Sequence, residues 1–352
     1  MEETIEKMLG IIREEAKSKE FAERYRSSEK DFVRNRKIGF SDIVNFVIGN
    51  TGMSLDFEVL KFCEGRGNVV SAAAISKARN KVSYLAFETL FRKTAKEIPA
   101  TNNYKGYRLT AFDGMRGELP KTPELMAKYV VSGRDKYPQF HTVAEYDVLN
   151  CCYTDAIFEG GAADERKAVS NILNAHDYVG KEIFLLDRGF SALKLIQQIE
   201  CMGKKFVIRV SKSFLREVNE FWGSNAKDSV VHVKYDKRRG RNDRALGAEL
   251  PYETDLRCVK IPLSDGEIEV LITNLEEKEF SLTEIKELYN LRWKIEIGFL
   301  HLKHAIRVEE FVGIKENAIR QEFFASLMKA NIMMQFVELS NDLILRKKNA
   351  KT

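Results

Sequence analysis

The stretch YNLRWKIEIGFLHLKHAI, residues 289–306, has helical spacing but carries polar groups where an ordinary surface helix carries apolar ones. At about 100° per residue, Tyr289, Arg292, Glu296 and Lys303 fall within an arc of about 60°. Leu291, Ile295, Phe299, Leu302 and Ile306 line one flank of that arc, and Trp293, Ile297 and Leu300 line the other. Asn290, Lys294 and His301 mark a separate solvent face. The spacing predicts one helix with a polar stripe between two apolar flanks. Such a stripe either lines a cleft or reduces to an Arg292–Glu296 surface ion pair worth roughly 0.2–0.5 kcal/mol. Carboxylates at equally unusual positions elsewhere decide between the two.

Two are present. The apolar run YRLTAFD ends at Asp113 and is followed by Gly114; KEIFLLD ends at Asp187, with Gly189 two residues on. In KEIFLLDRGFSALKLIQQIECMGKKFVIRV a strand, a turn at Gly189, a helix capped by Ser191 and a second strand follow in order. Continuous apolar strands alternating with helices imply an α/β sheet covered on both faces. Ligands bind beyond strand ends in such sheets, so Asp113 and Asp187 converge there unless they are simple turn-formers. With Glu296 they supply hard oxygen donors suited to Mg²⁺, or Mn²⁺ in its place. Two such ions about 4 Å apart activate the attacking oxygen and stabilise the leaving oxygen in phosphodiester cleavage. Tyr289, Arg292 and Lys303 would then hold a DNA phosphate, Arg292 through its two-pronged guanidinium.

The rest of the chain fits a soluble, intracellular protein. Its 352 residues are 44% hydrophobic and 31% charged, enough to bury two or three cores. A net charge of +5 does not by itself demand a nucleic-acid partner, so local clusters matter more. The five cysteines are odd in number and form no CxxC pair, which excludes a disulfide framework and a zinc finger. MEETIEKMLG has neither the basic region nor the apolar run of a secretion signal, and no stretch approaches a membrane span. Residues 1–98 read as an all-helical DNA-binding region, with Ser71 capping a short helix that bears Lys77, Arg79 and Lys81. Residues 99–206 and 280–348 form the catalytic unit. Residues 207–279, with SVVHVKY, LRCVKIPL and EIEVLITNL, are an antiparallel β insertion forming a subdomain. The insertion's loop KYDKRRGRNDR offers Lys237, Arg238, Arg239, Arg241 and Arg244 to phosphates, or else is a solvated hairpin end.

Tyr289-x2-Arg292-x3-Glu296-x6-Lys303 resembles the YREK signature of DDE transposases of the insertion-sequence-four group. DRGF at 187–190 resembles the group's second-aspartate motif, with Phe190 for tyrosine, and AFDGMRGELP its first, with Met115 for a hydroxyl residue. The resemblance covers about residues 70–315 and includes the β insertion. It implies a ribonuclease-H-like mixed sheet with flanking helices, and Asp113, Asp187 and Glu296 as a triad for two Mg²⁺ ions. It also implies Tyr289, Arg292 and Lys303 on the DNA backbone. Members of the group cut double-stranded DNA at terminal inverted repeats and join the freed 3′ hydroxyl to target DNA, usually as homodimers, which places this chain in the cytoplasm at the nucleoid. They often flip a base with an aromatic side chain, for which Trp222 is the candidate, against the plainer reading of a packed Trp. A host-recruited nuclease and a non-catalytic DNA-binding relative are the alternatives.

Overall fold

The apolar runs meet in one eight-stranded sheet. The computed structural model describes residues 2–349 apart from 35, 65, 68, 131–135, 161–162, 177, 236–251 and 264–265. Six helices come first: α1 (Glu2–Lys17), α2 (Lys19–Tyr25), α3 (Phe40–Gly49), α4 (Leu55–Cys63), α5 (Ala72–Arg79) and α6 (Leu85–Lys96). Strand β1 (Arg108–Glu118) follows, then α7 (Pro123–Tyr129), β2 (Gln139–Asp147), β3 (Cys152–Gly160) and α8 (Glu165–Ala175). Next are β4 (Glu182–Leu186), α9 (Leu193–Cys201), β5 (Lys205–Val210) and α10 (Arg216–Gly223). Strands β6 (Asp228–Tyr235), β7 (Tyr252–Pro262) and β8 (Ile268–Thr273) precede α11 (Leu282–Leu291), α12 (Lys294–His304) and α13 (Glu316–Asn349).

The strand order is β3-β2-β1-β4-β5-β8-β7-β6. β1, β2 and β3 run antiparallel in turn, β4 lies parallel to β1, and β5 lies parallel to β4. Every residue of β4 is buried, which is why its sequence is a continuous apolar run rather than an alternating one. The antiparallel strands after 207 do not build a sheet of their own. β8 pairs with β5, and β7 and β6 continue outward. They cover what would otherwise be a row of unpaired backbone groups along β5.

Two cores flank the sheet. Helices α8, α9 and α10 pack on one face through Val169, Ile172, Leu195, Ile196, Ile199 and Val218. The N-terminal helices and α11–α13 share the other core, where Phe87, Leu90 and Phe91 of α6 meet Phe323, Phe324 and Met328 of α13. The helical region therefore packs into the same core as the sheet. Among the described residues no helix is long and apolar enough to cross a membrane.

Local signals account for most helix starts. Ser71 and Asp164 cap α5 and α8 as expected, accepting from Ala74 N and Arg166 N. Ser281 and Glu284 close a capping box on α11. Ser191 is not a cap: α9 begins after Ala192, and the Ser191 hydroxyl donates to Arg188 O within a short 3₁₀ turn, Arg188–Phe190.

Candidate active site

β1 does not stop at Asp113. It runs on to Glu118, paired throughout with β2, so Asp113 lies within a strand. β4 does stop, one residue before Asp187. Because Phe112 is in register with Leu186, Asp113 and Asp187 are the next residues along two adjacent parallel segments.

The helix expected over 289–306 is two helices. Between α11 and α12, Arg292 N, Trp293 N, Ile295 N and Glu296 N each bond a carbonyl three residues back, at 3.1–3.2 Å. Such a tightened turn advances about 120° per residue instead of 100° and rotates everything after it. Ile295, Phe299 and Leu302 remain buried as expected. The second flank is a correction: Trp293, Ile297 and Leu300 are 53%, 50% and 54% exposed. The polar stripe thus has one apolar wall, and its other side opens to solvent.

The turn places Arg292 at the centre of the acids. Its guanidinium is 3% exposed, with Nη2 2.9 Å from Glu296 Oε1 and Nη1 3.6 Å from Asp113 Oδ2. Its buried Nε has no hydrogen-bond partner. Asp187 Oδ1 accepts from the Tyr289 hydroxyl at 3.1 Å and faces Arg209 Nε at 3.3 Å. Arg209 also pairs with Glu269 of β8. Lys303 donates to Arg116 O at 3.0 Å and lies 3.2 Å from Glu309, with a third of its side chain exposed.

The electrostatics are those of crowded acids. Burial raises Asp113 to about 6; the Gly114 N–H and Arg292 pull it down, while Glu296 and Asp187 push it further up. Burial alone would raise Asp187 too, but the Arg188 N–H, Arg209, Arg292 and Tyr289 together hold it below its ordinary value. Burial, then the Asp187 charge, raises Tyr289, which stays a hydroxyl donor. Asp113 and Glu296 thus share the Arg292 guanidinium, while Asp187 pairs with Arg209 and feels Arg292 only through its charge. The three acids do not close into a metal cage as they stand: among the described residues no set of three His, Cys, Asp or Glu has metal-holding spacing. Instead the guanidinium stands in as the cation. Three carboxylates supply the hard oxygen donors that Mg²⁺ or Mn²⁺ take.

The other expected contacts divide. Lys77 and Lys81 line an open cavity of about 1240 Å³ between α5 and the segment before α3, together with Lys30, Arg34, Arg36 and Lys37. The last four were overlooked in the sequence, although the run EKDFVRNRK carried the signal. Lys81 also pairs with Asp31 at 2.8 Å. Arg79 is a correction. It is 2% exposed, pairs with Glu322 at 2.6 Å and donates to Ala318 O and the Gln321 side chain, tying α5 to α13. Arg79→Ala is therefore expected to lower unfolding free energy by about 3 kcal/mol, since it leaves the buried Glu322 charge with only its backbone N–H donors from Val312 and Gly313, while leaving DNA affinity of the folded protein unchanged. Urea unfolding and a DNA titration check the two halves separately. Lys237, Arg238, Arg239, Arg241 and Arg244 lie outside the described residues. Trp222, on α10, is partly buried against the α9–α10 core, as the plainer reading had it. It also lines a cavity of about 520 Å³ with Arg188, Arg209 and Lys212, adjoining Asp187.

Known proteins resemble this chain in both sequence and fold. Residues 104–332 match the family described as the transposase DDE domain. Transposase InsG of insertion sequence element IS4 from Escherichia coli (strain K12) is 22% identical over 291 residues, 79% of this chain and 64% of that protein. The transposase of insertion sequence element IS421 from Escherichia coli is 29% identical over 232 residues, 56% of this chain and 60% of that protein. The chain thus aligns with less than two thirds of the length of either relative. The piggyBac transposase, in a synaptic complex with hairpin DNA, matches 96% of this chain and 72% of its own, with a TM-score of 0.51 at 12% identity. That likeness speaks for the fold alone, and it meets the ribonuclease-H-like expectation.

Proposed function

The chain belongs to the transposase DDE domain family, of the insertion-sequence-four type, and from that premise we propose that it is a DNA transposase. It cleaves phosphodiesters at terminal inverted repeats and joins the freed 3′ hydroxyl to target DNA. One observation carries this reading: carboxylates from β1 and α12 pair with the buried Arg292 guanidinium, and Asp187, at the end of β4, lies within reach of its charge. No structural need for such crowding is evident, and it costs stability.

The family generally uses divalent metal ions. Asp113, Asp187 and Glu296 would hold two Mg²⁺ ions, or Mn²⁺ in their place. Held there, the ions would supply Lewis-acid polarisation of the scissile phosphate and a lowered pKa for the attacking oxygen. The protein's own groups do the rest. Arg292, whose buried Nε has no partner, would bind a phosphate oxygen pair through its guanidinium. Tyr289 keeps Asp187 oriented through its hydroxyl, and Lys303, at the solvent side, meets the DNA backbone. The exposed Trp293, with the Arg292 guanidinium 5.1 Å from its ring centre, is better placed than Trp222 to stack on a base beside the cut.

Work is divided along the chain. The cations of the N-terminal cavity grip double-stranded DNA away from the cut, the sheet performs the chemistry, and the strands after 207 extend the platform beside Asp187. Two ends must be brought together for strand transfer, so the working form is a homodimer on DNA, in the cytoplasm at the nucleoid. The test is a duplex carrying the inverted repeats that flank the gene. Incubation with Mg²⁺ or Mn²⁺ is expected to nick it at the element boundary, and EDTA to abolish nicking. Tight end-binding with no cleavage in either metal would leave a DNA-binding relative and end the catalytic reading.

A further inference from the structure

Gly114 has a role that its place in the chain does not disclose. It follows Asp113, but no turn is there: β1 continues straight, with Gly114 opposite Val143 of β2. Its φ is not positive, so conformational freedom does not explain the residue either. What explains it is close approach. A Cβ at Gly114 would collide with Glu165 Oε1, and would lie 3.0 Å from Glu165 Cδ and 3.1 Å from His141 Nε2. The other oxygen, Glu165 Oε2, lies 3.7 Å from where a Cβ of Gly189 would stand, in the turn after Asp187. One carboxylate, on the first residue of α8, therefore fills the space in front of the glycines that follow both aspartates.

Glu165 is fixed there by His141 of β2, whose Nε2 lies 2.8 Å from Oε1. His141 is 3% exposed, and its Nδ1 is buried with no partner. Nε2 is the ring nitrogen that meets Glu165. The ring is thus committed to one contact, and that contact is Glu165. A buried histidine set on a single carboxylate, which itself packs close to the backbone at Gly114, is a built arrangement.

We propose that Glu165, held by His141, is a positioning residue that sets the separation of Asp113 and Asp187 and thereby the site's affinity for divalent cations. This rests on the metal-binding reading above. Glu165 lies on the α8 side of the sheet whereas Arg292 and Glu296 lie on the α12 side, so it acts on the aspartates through their backbone and not as a further ligand. Groups that orient metal ligands from behind typically govern affinity by about 10–100-fold.

The test is Mn²⁺ titration of the intact chain by calorimetry, with a urea midpoint for each variant. Glu165→Ala is expected to weaken Mn²⁺ binding about tenfold while end-DNA affinity stays unchanged. Glu165→Gln keeps the size and the acceptor for His141, so it should return to within about threefold of the parent. His141→Gln, which leaves the carboxylate in place but loosens it, should show a loss in the same direction and covers the case of an unfolded Glu165→Ala. Asp113→Asn separates the two ideas. If it loses Mn²⁺ while folded Glu165→Ala or His141→Gln binds as tightly as the parent, the positioning role is overturned alone. If Asp113→Asn retains full affinity, the metal site itself is lost, and this inference with it.

Discussion

Replacing Asp113 or Asp187 by Asn, or Glu296 by Gln, is expected to lower metal-dependent DNA cleavage by about 10³-fold or more, with end-DNA binding nearly unchanged. Each amide keeps the size of the side chain but removes a charge and one hard oxygen donor, and losses of this order accompany removal of one electrostatic partner of a transition state. Stability moves the other way for Asp113. Its folded pKa of about 6 lies above the ordinary 3.8, so ionisation opposes folding. The group's contribution is favourable below pH 3.8 and is lost as the pH rises through 6. At neutral pH Asp113→Asn should therefore be as stable as the parent or more so. A protein that folds better and cuts far less is the mark of a carboxylate kept for chemistry. A structural acid behaves in the opposite way, with lower stability and undiminished cleavage, and that pair of results would remove Asp113 from the mechanism. Parallel urea curves and nicking rates distinguish the two.

How much of the molecule was legible in the sequence depends on the range of the interactions involved. Strand β4 announced itself because burial on both faces requires an uninterrupted apolar run, and Asp187 then marks its end. The antiparallel strands after 207 were equally visible, because alternation is local. Their edge-on union with β5 was not, since any sheet edge could have received them. Asp113 was found for a partly mistaken reason: the apolar run ends there, but the strand does not, because pairing with β2 continues through the polar residues to Glu118. Uniform winding over residues 289–306 would leave Trp293, Ile297 and Leu300 as a second apolar wall. Four three-residue hydrogen bonds at 292–296 rotated α12 and turned Trp293, Ile297 and Leu300 outward. No local rule foretells that tightening. Arg79 looked like its basic neighbours until α13, more than two hundred residues away, supplied Glu322. Glu165 gave no signal at all, for its meaning lies in what it touches across two strands. The one trace was Gly114, which reads as a turn-former until its surroundings are known.

His176→Ala should cost about 5 kcal/mol of folding stability at pH 6, the upper end of the penalty for stripping one partner from a buried ion pair. Glu145 and Asp155 face each other in register on β2 and β3, and both side chains are 1% exposed. His176, at the end of α8, lies between them, with Nδ1 3.2 Å from Glu145 Oε2 and Nε2 2.9 Å from Asp155 Oδ2. Among the described residues those two oxygens have no other hydrogen-bond partner, so the imidazolium holds both by charge and by its two N–H groups. Without the imidazolium, Glu145 keeps only the Tyr178 hydroxyl, and Asp155 keeps Arg92. Burial alone would lower the His176 pKa, but the two carboxylates raise it to about 9. The sign is therefore fixed. The folded pKa lies above the ordinary 6.5, so the stabilisation is complete below pH 6.5 and is lost as the pH rises through 9. Glu182, raised to about 7 chiefly by burial, lines a cavity with Arg108, Glu145 and His176. Burying its charge costs stability over a lower pH range, in the parent and the variant alike. Comparing the two proteins at each pH isolates the histidine: the gap in unfolding free energy should be widest at pH 6 and shrink by about 3 kcal/mol by pH 10. A gap of equal size at both ends would mean that His176 supports the strands by packing and not by charge.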